Sequence, residues 1–365
     1  MKKITLIAGA RPNFMKIAPI IHAICRYNDS PGTQKIDYRL IHTGQHYDKT
    51  MSETFFEELN IPQPDVNLAC GGGSQAEQTA AIMIAFEKEL SANPCDLVLV
   101  VGDVTSTMAC SIVAKKLQVR VAHVEAGIRS YDMTMPEEIN RIVTDSLSDL
   151  FFTTTSWASD NLRKNGVMDD KIHLVGNVMI DTLLANKCRF VKPEIYDNLS
   201  LQEKEYIVLT LHRPANVDET THLRNLLSEI LNHVDGLPVI FPMHPRTAKL
   251  FADVDVEAGN LHIVEPLGYL EFNYLVERSL VVVTDSGGIT EETTVMGVPC
   301  MTLRDNTERP ETCNVGTNEL IGINPEAVAP AMQILFSGQW KKGSIPDLWD
   351  GHAAERIVKI LAAMK

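Results

Sequence analysis

The sequence predicts an α/β protein with two Rossmann-like, doubly wound domains. Short apolar segments alternate with helical patterns along almost the whole chain, and this alternation restarts near residue 205. A length of 365 residues suits two domains, because one domain spans about 100–200 residues. Strand–helix–strand order implies parallel strands that are covered by helices. We therefore expect two parallel sheets, one in each half of the chain.

The first half carries its clearest strand signal in the segment DLVLVV (96–101), whose apolar residues occupy successive positions. A strand that is buried on both faces of a sheet has this pattern. An amphipathic helix is predicted after the first strand by the spacing of Phe14, Ile17, Ala18, Ile21 and Ile24. The other strands predicted in this half are 3–8, 37–42, 119–124 and 149–154, and the other helices are 76–91, 105–117 and 136–147.

The second half repeats the pattern, beginning with a strand at 206–211 and a helix near 219–233. Its other predicted strands are 237–241, 261–264, 279–284 and 298–303. We expect an N-terminal domain over 1–177 and a C-terminal domain over 178–350. Within the second range, the polar stretch 186–204 is the candidate linker region. We expect the last helix, within 351–365, to pack back onto the first domain.

The composition excludes several classes of protein. Hydrophobic residues make up 45% and charged residues 22%, which are ordinary values for a soluble globular chain. The formal charge of −14 argues against general binding of nucleic acid, although local basic residues can still bind a small anion. The seven cysteines show no zinc-ligand spacing, and no segment approaches the ~18 apolar residues of a membrane span.

The first strand ends in a turn that carries two cations, Arg11 and Lys16, close to a helix N-terminus. Free amides and cations at a helix N-terminus favour an anion, and the ligands of doubly wound sheets bind at the carboxyl ends of strands. With two such domains, we expect the ligand in the cleft between them. The turn has neither the GxGxxG nor the P-loop pattern. The alternative is that both cations are solvated surface charges.

Carboxylates follow two other predicted strands of the first half. Asp103 comes after 96–101 and Glu125 after 119–124, so both are expected at one edge of the sheet. Glu137 and Glu138 open the next helix, where acidic residues also favour the helix dipole. Several carboxylates that converge on a cleft suit acid–base chemistry. The structural alternative is helix capping, for which an Asp or Ser is well suited.

In the second half, His212 follows the strand 206–211, where it suits phosphate contact or proton transfer. The sequence TDSGGITEE (284–292) predicts a buried strand, a glycine turn and a helix. Glycines allow the backbone to approach a pyrophosphate, and a carboxylate one turn later can bind ribose hydroxyls. The alternatives are a core or surface histidine and an ordinary strand–helix turn. Arg304 and Arg309 add cations from the following loop, which could equally form a surface ion-pair network.

Six segments in this order resemble the non-hydrolysing UDP-N-acetylglucosamine 2-epimerases: GARPNFMK, VGDVTST, HVEAGIRS, PEEINR, DSGGITEE and RDNTERPE. The resemblance covers nearly the whole chain. It implies two Rossmann-like domains that face each other across a cleft, as in glycosyltransferases of the B type, with UDP bound by the second domain. It also implies a cytoplasmic homodimer that interconverts UDP-GlcNAc and UDP-ManNAc and supplies ManNAc-type sugars for surface polysaccharide. No redox cofactor, obligatory metal, nucleic acid or membrane partner is implied.

The resemblance also implies roles for individual residues, taken motif by motif. Its catalytic residues fall on Asp103, Glu125, Glu137 and His212. Its substrate-binding residues fall on Arg11, Lys16, Phe272 beside the uracil, Ser286 and Gly287 at the phosphates, Glu292 at the ribose, and Arg309.

The sequence leaves the exact reaction open. Ala10, Asn13 and Phe14 differ from the family's more familiar GTRPEAIK, and a branch acting on a UDP-diacetamido-uronic acid has an opening like GARPQF. The motifs do not report water access, so a hydrolysing 2-epimerase that releases ManNAc and UDP is an alternative. Two further alternatives are a glycosyltransferase of the same fold, which would need an acceptor, and a non-enzymatic sugar-nucleotide sensor.

Overall fold

The chain divides into two units, each built on one parallel sheet. The structure, a computed structural model, describes residues 1–44, 56, 58–243 and 259–364. The first unit comprises Met1–Ala185 together with Asp347–Lys365, and the second comprises Asn186–Pro346. The predicted class, two Rossmann-like doubly wound domains, is confirmed. No helix in the described ranges is long and apolar enough to cross a membrane.

The first unit contains a seven-stranded sheet in the order β3-β2-β1-β4-β5-β6-β7. Its strands are β1 (Lys2–Ala8), β2 (Ile36–His42), β3 (Val66–Asn67), β4 (Leu97–Val101), β5 (Arg120–Val124), β6 (Leu150–Thr153) and β7 (Ile172–Leu174). The helices along this part of the chain are α1 (Arg11–Asp29), α2 (Gln75–Ala92), α3 (Thr105–Lys116), α4 (Pro136–Leu147), α5 (Ser156–Lys164) and α6 (Val178–Asn186).

The second unit contains a six-stranded sheet in the order β10-β9-β8-β11-β12-β13. Its strands are β8 (Ile207–Thr210), β9 (Val239–Pro242), β10 (Leu261–Val264), β11 (Val281–Thr284), β12 (Cys300–Thr302) and β13 (Asn318–Leu320). Its helices are α7 (Glu194–Asn198), α8 (Pro214–Val217), α9 (Thr220–Asn232), α10 (Tyr269–Arg278), α11 (Gly287–Met296), α12 (Pro310–Asn314) and α13 (Val328–Phe336). The last helix, α14 (Ala353–Ala363), belongs to the first unit.

Each strand predicted from an apolar run lies within a unit's sheet, and three further strands were not predicted. The unpredicted strands are β3, β7 and β13, which are two or three residues long and lie at sheet edges. Burial explains this contrast. All five residues of β4 are buried, because β4 is a central strand that is covered on both faces. The edge strands are partly exposed and carry no continuous apolar run.

Helix α14 is anchored at both ends by groups of the first unit. At its N-terminus the Asp181 carboxylate, on α6, accepts hydrogen bonds from Ala353 N (3.1 Å) and Ala354 N (2.7 Å). Near its C-terminus the Lys2 ammonium, on β1, donates to Leu361 O at 2.7 Å. Helix ends leave backbone groups unpaired, and these contacts satisfy several of them. The chain therefore returns from the second unit to a fixed position on the first.

We predict that Asp181→Ala loosens α14 specifically. The substitution leaves two buried amides unpaired and removes a cap contribution of about 0.5–2 kcal/mol. Hydrogen–deuterium exchange of segment 353–363 should then accelerate by roughly tenfold, since about 1.4 kcal/mol corresponds to a factor of ten. Asp160→Ala, at an exposed aspartate on α5, is the matched control and should leave this segment unchanged. Equal exchange in the Asp181 variant and in the wild type would contradict the anchoring role.

Candidate functional site

Several candidate residues lie at or beside the point where the strand order of each sheet reverses. In the first sheet this point lies between β1 and β4, and in the second it lies between β8 and β11. Ligands of open α/β sheets bind outside the carboxyl ends of strands at such points. Because Val101 pairs with Val124, Asp103 and Glu125 follow the paired ends of β4 and β5 by two residues and one residue. His212 and Asp285 follow β8 and β11 in the same way.

Glu125 and Lys16 form a buried ion pair in the first unit. Lys16 Nζ, on α1, lies 2.7 Å from Glu125 Oε2, and the two side chains are 10% and 2% exposed. The backbone of Glu125 has a φ of +69°, a left-handed conformation that costs a non-glycine residue of order 1–3 kcal/mol. Such strain concentrates at functional sites. The turn after β5 therefore holds this carboxylate against a cation at some cost in stability.

Gly102 makes room for the same lysine. Its φ is +65°, and a Cβ atom built on it would lie 2.8 Å from Lys16 Nζ. Asn13 braces the neighbouring turn, because its Oδ1 accepts from Gly9 N and Ala10 N at 3.0 Å each. The Asn13 amide also donates to Val101 O at 3.1 Å. This residue, which departs from the family's familiar opening motif, thus connects the ends of β1 and β4.

Asp103 is held by an arginine that also holds a second carboxylate. Arg141, on α4, donates to Asp103 Oδ2 through Nε (3.0 Å) and Nη2 (2.6 Å), and through Nη1 to Glu138 Oε2 (2.7 Å). A quarter of the Asp103 side chain remains exposed, whereas Arg141 and Glu138 are buried. Asp103 is therefore oriented and still accessible to a ligand.

The two glutamates that open α4 differ in environment. Glu138 is buried and accepts hydrogen bonds from the backbone of Ser130 (2.9 Å) and Tyr131 (3.1 Å), so it fixes the preceding loop. Glu137, which the resemblance assigns to catalysis, is exposed in the first turn of the helix. For both glutamates the sequence left open a role in the helix dipole, and it did not predict the ion pair between Glu138 and Arg141. The spacing of Glu138 from Arg141, three residues or one helix turn, was the signal available for the pairing.

In the second unit, Asp285 anchors the turn that carries His212. Asp285 Oδ1 lies 2.7 Å from His212 Nδ1, and Oδ2 accepts from His212 N (3.0 Å) and Arg213 N (2.9 Å). Burial alone raises the pKa of Asp285, but the hydrogen bonds from His212 and Arg213 outweigh it and lower the pKa. Asp285 is fully buried, whereas 61% of the His212 side chain is exposed. An anchored, accessible imidazole suits contact with a ligand.

The N-terminus of α11 lies beside a buried arginine. Ser286 is the residue before the helix, and its N–H donates to Thr284 Oγ1 at 3.0 Å. Arg304 donates from Nη2 to Glu308 Oε2 at 2.6 Å, while its buried Nη1 has no hydrogen-bond partner among the described residues. A Cβ on Gly287 would lie 2.6 Å from Glu308 Oε1 and 3.6 Å from Arg304 Nη1. Glycine at 287 thus keeps this charged pair next to the helix amides.

The other residues assigned to the nucleotide lie around the same helix. Glu292, on α11, is buried and accepts from Tyr269 Oη at 2.9 Å. Burial raises the pKa of Glu292 to about 7, against the opposing hydrogen bonds from Tyr269 and Asn273. Phe272 is half-buried on α10, and Arg309 pairs through Nε with Glu291 Oε1 at 2.5 Å.

The structure therefore gathers the assigned residues into two groups. Arg11, Lys16, Asp103, Glu125 and Glu137 lie at strand ends and helix starts of the first unit, and the other assigned residues lie in the second. Arg11 is the first residue of α1, but its side chain lies outside what the structure describes. The residues that position these groups, Asn13, Glu138, Arg141 and Asp285, were not singled out as site residues. Apart from the Glu138–Arg141 pair, their roles depend on contacts between segments that are distant in the sequence.

Comparisons with known proteins agree on one family. The family model described as UDP-N-acetylglucosamine 2-epimerase matches residues 30–362. The UDP-N-acetylglucosamine 2-epimerase of Methanocaldococcus jannaschii is 41% identical over 98% of each chain. The UDP-2,3-diacetamido-2,3-dideoxy-D-glucuronate 2-epimerase of Pseudomonas aeruginosa is 38% identical over 99% of this chain and all of that relative.

A solved structure extends this agreement to the fold. The crystal structure of the M. jannaschii UDP-GlcNAc 2-epimerase in complex with UDP-GlcNAc and UDP matches with a TM-score of 0.89, covering 99% of this chain and all of that one. Sequence and fold therefore point to the same relatives, and the chain belongs to the UDP-N-acetylglucosamine 2-epimerase family.

Proposed function

We propose that this protein is a non-hydrolysing 2-epimerase that interconverts UDP-GlcNAc and UDP-ManNAc. The observation that carries the proposal is the placement of Asp103 and Glu125 at adjacent strand ends, each held by a cation. Family membership supplies the substrate class, because the M. jannaschii relative is a UDP-GlcNAc 2-epimerase solved with UDP-GlcNAc and UDP. An acid–base site of this kind suits proton transfer at a carbon atom.

The proposed route expels UDP before the proton at C2 is removed. An unactivated C2–H bond is too weakly acidic for a carboxylate base. Departure of the diphosphate places positive charge on C1 and the ring oxygen, and that charge acidifies the C2 proton. A carboxylate then removes the proton, and the product is a 2-acetamidoglycal. UDP adds back to C1 while a proton reaches C2 from the opposite face, which inverts the stereochemistry and conserves all atoms.

In this route the first unit supplies acid, base and charge stabilisation. Asp103, Glu125 and Glu137 are the candidate proton-transfer groups, and inversion needs two such groups or one that moves. Of Asp103 and Glu125, Asp103 is the more accessible, and Arg141 fixes the orientation of its carboxylate. Lys16 is assigned to the nucleotide, so substrate would exchange the Lys16–Glu125 pair for a Lys16–phosphate contact. That exchange would expose the Glu125 carboxylate to the sugar.

The second unit would hold the leaving group. Amides at the start of α11, His212, Arg309 and Arg304 Nη1 can stabilise the negative charge that develops on the diphosphate. Among the described residues, Arg304 Nη1 has no hydrogen-bond partner. Glu292 would accept hydrogen bonds from the ribose, and Phe272 would pack beside the uracil. Since the glycal and UDP must stay together between the two half-reactions, we expect the ligand to be enclosed during turnover.

We further propose that the protein is a cytoplasmic homodimer that supplies ManNAc-type sugars for polysaccharide.

We predict that Asp103→Asn and Glu125→Gln each lower kcat for UDP-GlcNAc by ~10²-fold or more. Each substitution keeps the shape of the side chain and removes a proton acceptor of the proposed reaction. Anomeric proton signals of UDP-GlcNAc and UDP-ManNAc, followed by NMR, give the rates. Asp170→Asn, at an exposed aspartate of the same unit, is the control and should turn over normally. Near-normal turnover by both site variants would overturn the assignment.

We predict that Glu292→Gln stabilises the protein at high pH and weakens UDP binding. The pKa of Glu292 is raised from 4.5 to about 7 in the fold, so the folded state favours the protonated acid. Stability is therefore lost as pH rises from 4.5 through about 7, by up to about 3 kcal/mol at 1.36 kcal/mol per pKa unit. The neutral glutamine avoids this loss, and removal of the charged acceptor weakens UDP binding by roughly tenfold or more.

Thermal denaturation at about pH 5 and pH 8 and calorimetric titration of UDP at pH 8 measure the two effects. The melting temperature of the variant should exceed that of the wild type more at pH 8 than at pH 5. Glu205→Gln, at an exposed position of the same unit, is the control. Unchanged UDP affinity would contradict the ribose role, and a melting difference independent of pH would contradict the burial argument.

A second candidate substrate is a UDP-2,3-diacetamido-uronic acid. The 38% identity to the P. aeruginosa enzyme and the GARPNF opening favour it. We predict a higher kcat/KM for UDP-GlcNAc when the two nucleotides are compared at equal enzyme concentration. A higher value for the diacetamido-uronic acid would transfer the assignment to that branch. Release of free ManNAc and UDP would instead place the protein among hydrolysing 2-epimerases.

A further inference from the structure

Arg304 is a buried arginine of the second unit to which the family resemblance assigns no role. It follows β12 by two residues, at the same edge of the sheet as the turn after β11, because Thr302 pairs with Thr284. Its side chain is only 5% exposed. The sequence left open a surface ion-pair network for this arginine, and its burial excludes that interpretation.

One nitrogen atom of the Arg304 guanidinium faces no protein acceptor. Nη2 donates to Glu308 Oε2 at 2.6 Å, whereas Nη1 is buried and has no hydrogen-bond partner among the described residues. A buried donor without an acceptor is costly, and more so when it carries charge. Because the donors of a guanidinium form a rigid planar fork, the bond to Glu308 also fixes the direction of Nη1. Arg304 therefore presents an oriented N–H to an acceptor that the described residues do not supply.

This donor lies beside the first turn of α11. A Cβ on Gly287 would lie 3.6 Å from Arg304 Nη1, whereas a Cβ on Gly288 would meet no described atom within 4 Å. The Ser286 side chain does not cap the helix, and the first turn contains no acidic residue. Helix starts commonly carry such groups, because their amides favour negative charge. The first turn thus combines amides that lack a local cap, a neighbouring buried cation and room for a ligand.

The backbone that carries Arg304 is fixed to the turn after β11. Asn216, which is buried, donates from Nδ2 to Leu303 O and to Asp285 Oδ2 at 3.1 Å each. Leu303 N also donates to Thr284 O at 2.8 Å. Leu303 directly precedes Arg304, and Asp285 directly precedes the N-cap residue of α11. The guanidinium and the helix start are therefore held together before a ligand arrives, which lowers the entropic cost of binding.

We propose that Arg304 makes the start of α11 select nucleoside diphosphates over nucleoside monophosphates. One phosphoryl group accepts from the amides of the first turn, and the adjacent phosphoryl group accepts from Arg304 Nη1. A monophosphate has no second phosphoryl group, so it leaves one of these two donor sets without an acceptor. The bond from Arg304 is charge-assisted and hence stronger than a bond between neutral groups. This inference deepens the proposed epimerase function and rests on it for the identity of the nucleotide, UDP.

A purely structural role of Arg304 would have a different consequence for binding. Nη2 also lies 3.4 Å from Asn306 Oδ1, so the arginine braces the loop that carries Glu308. If bracing were its whole role, a substitution would weaken the binding of UDP and UMP by similar factors. A direct bond to the second phosphoryl group instead contributes to UDP binding alone. The ratio of the two affinities therefore separates the two roles.

Calorimetric titrations with UDP and with UMP measure this ratio in the wild type, in Arg304→Gln and in Arg304→Lys. We expect UDP affinity to fall by roughly tenfold or more in both variants while UMP affinity changes little. Lysine keeps the charge but has no fork that could reach Glu308 and a phosphate in the same way. Arg189→Gln, at an exposed arginine of the same unit, is the control and should keep the wild-type ratio. An unchanged ratio in both Arg304 variants would overturn the proposal.

A crystal structure of the wild-type protein with UDP tests the same contact without a substitution. We expect an oxygen atom of the diphosphate within about 3.2 Å of Arg304 Nη1. A bound diphosphate that makes no contact with this nitrogen would overturn the proposal. The wild-type structure also decides the question if both Arg304 variants fail to fold.

These measurements separate failure of this inference from failure of the proposed function. If the wild type epimerises UDP-GlcNAc but its preference for UDP over UMP does not depend on Arg304, the inference fails and the epimerase proposal stands. If Arg304 determines that preference but the protein turns over no UDP-GlcNAc, the inference stands and the epimerase proposal fails.

Discussion

The pairing of each carboxylate with a cation at the ends of β4 and β5 is the constraint on which the first unit depends. Ionised carboxylates that leave water need a compensating charge and hydrogen bonds. Lys16 supplies the charge for Glu125 from α1, and Arg141 supplies it for Asp103 from α4. Because these cations come from two different helices, the pairs fix the helices as well as the acids. The same contacts thus determine both the local fold and the proposed chemistry.

The second unit also pairs a carboxylate with a basic side chain at a strand end, but here the carboxylate is the buried member of the pair. A buried carboxylate, Asp285, follows the central strand β11 and holds the backbone of the turn that carries His212. Here the acid is enclosed, whereas the His212 side chain remains exposed to a ligand. Both units place these groups at the reversal of strand order, where diverging loops leave room for a ligand. The same rule of strand order thus underlies the acid–base role that we propose for the first unit and the anion-binding role that we propose for the second.

The sequence was sufficient for the fold class and for most of the strands, because central strands such as β4 are buried on both faces and must be apolar throughout. It missed β3, β7 and β13, which lie at edges and face few neighbours. Asp103 and Glu125 could be placed at one edge of the sheet from strand order alone. The contacts of Asn216 that hold the backbone beside Arg304 could not, since Leu303 is 87 residues away and Asp285 is 69 residues away along the chain. Nothing in a local pattern specifies such pairings; they arise from tertiary packing.

The central claim is that a carboxylate of the first unit removes the proton at C2 after UDP has left. The most direct measurement is incubation of the purified protein with UDP-GlcNAc in D2O, followed by proton and phosphorus NMR. The account predicts UDP-ManNAc that carries deuterium at C2, with slower labelling of UDP-GlcNAc and no accumulation of free UDP. UDP-ManNAc formed without deuterium at C2 would contradict deprotonation at that carbon. Free ManNAc and UDP would contradict the non-hydrolysing outcome.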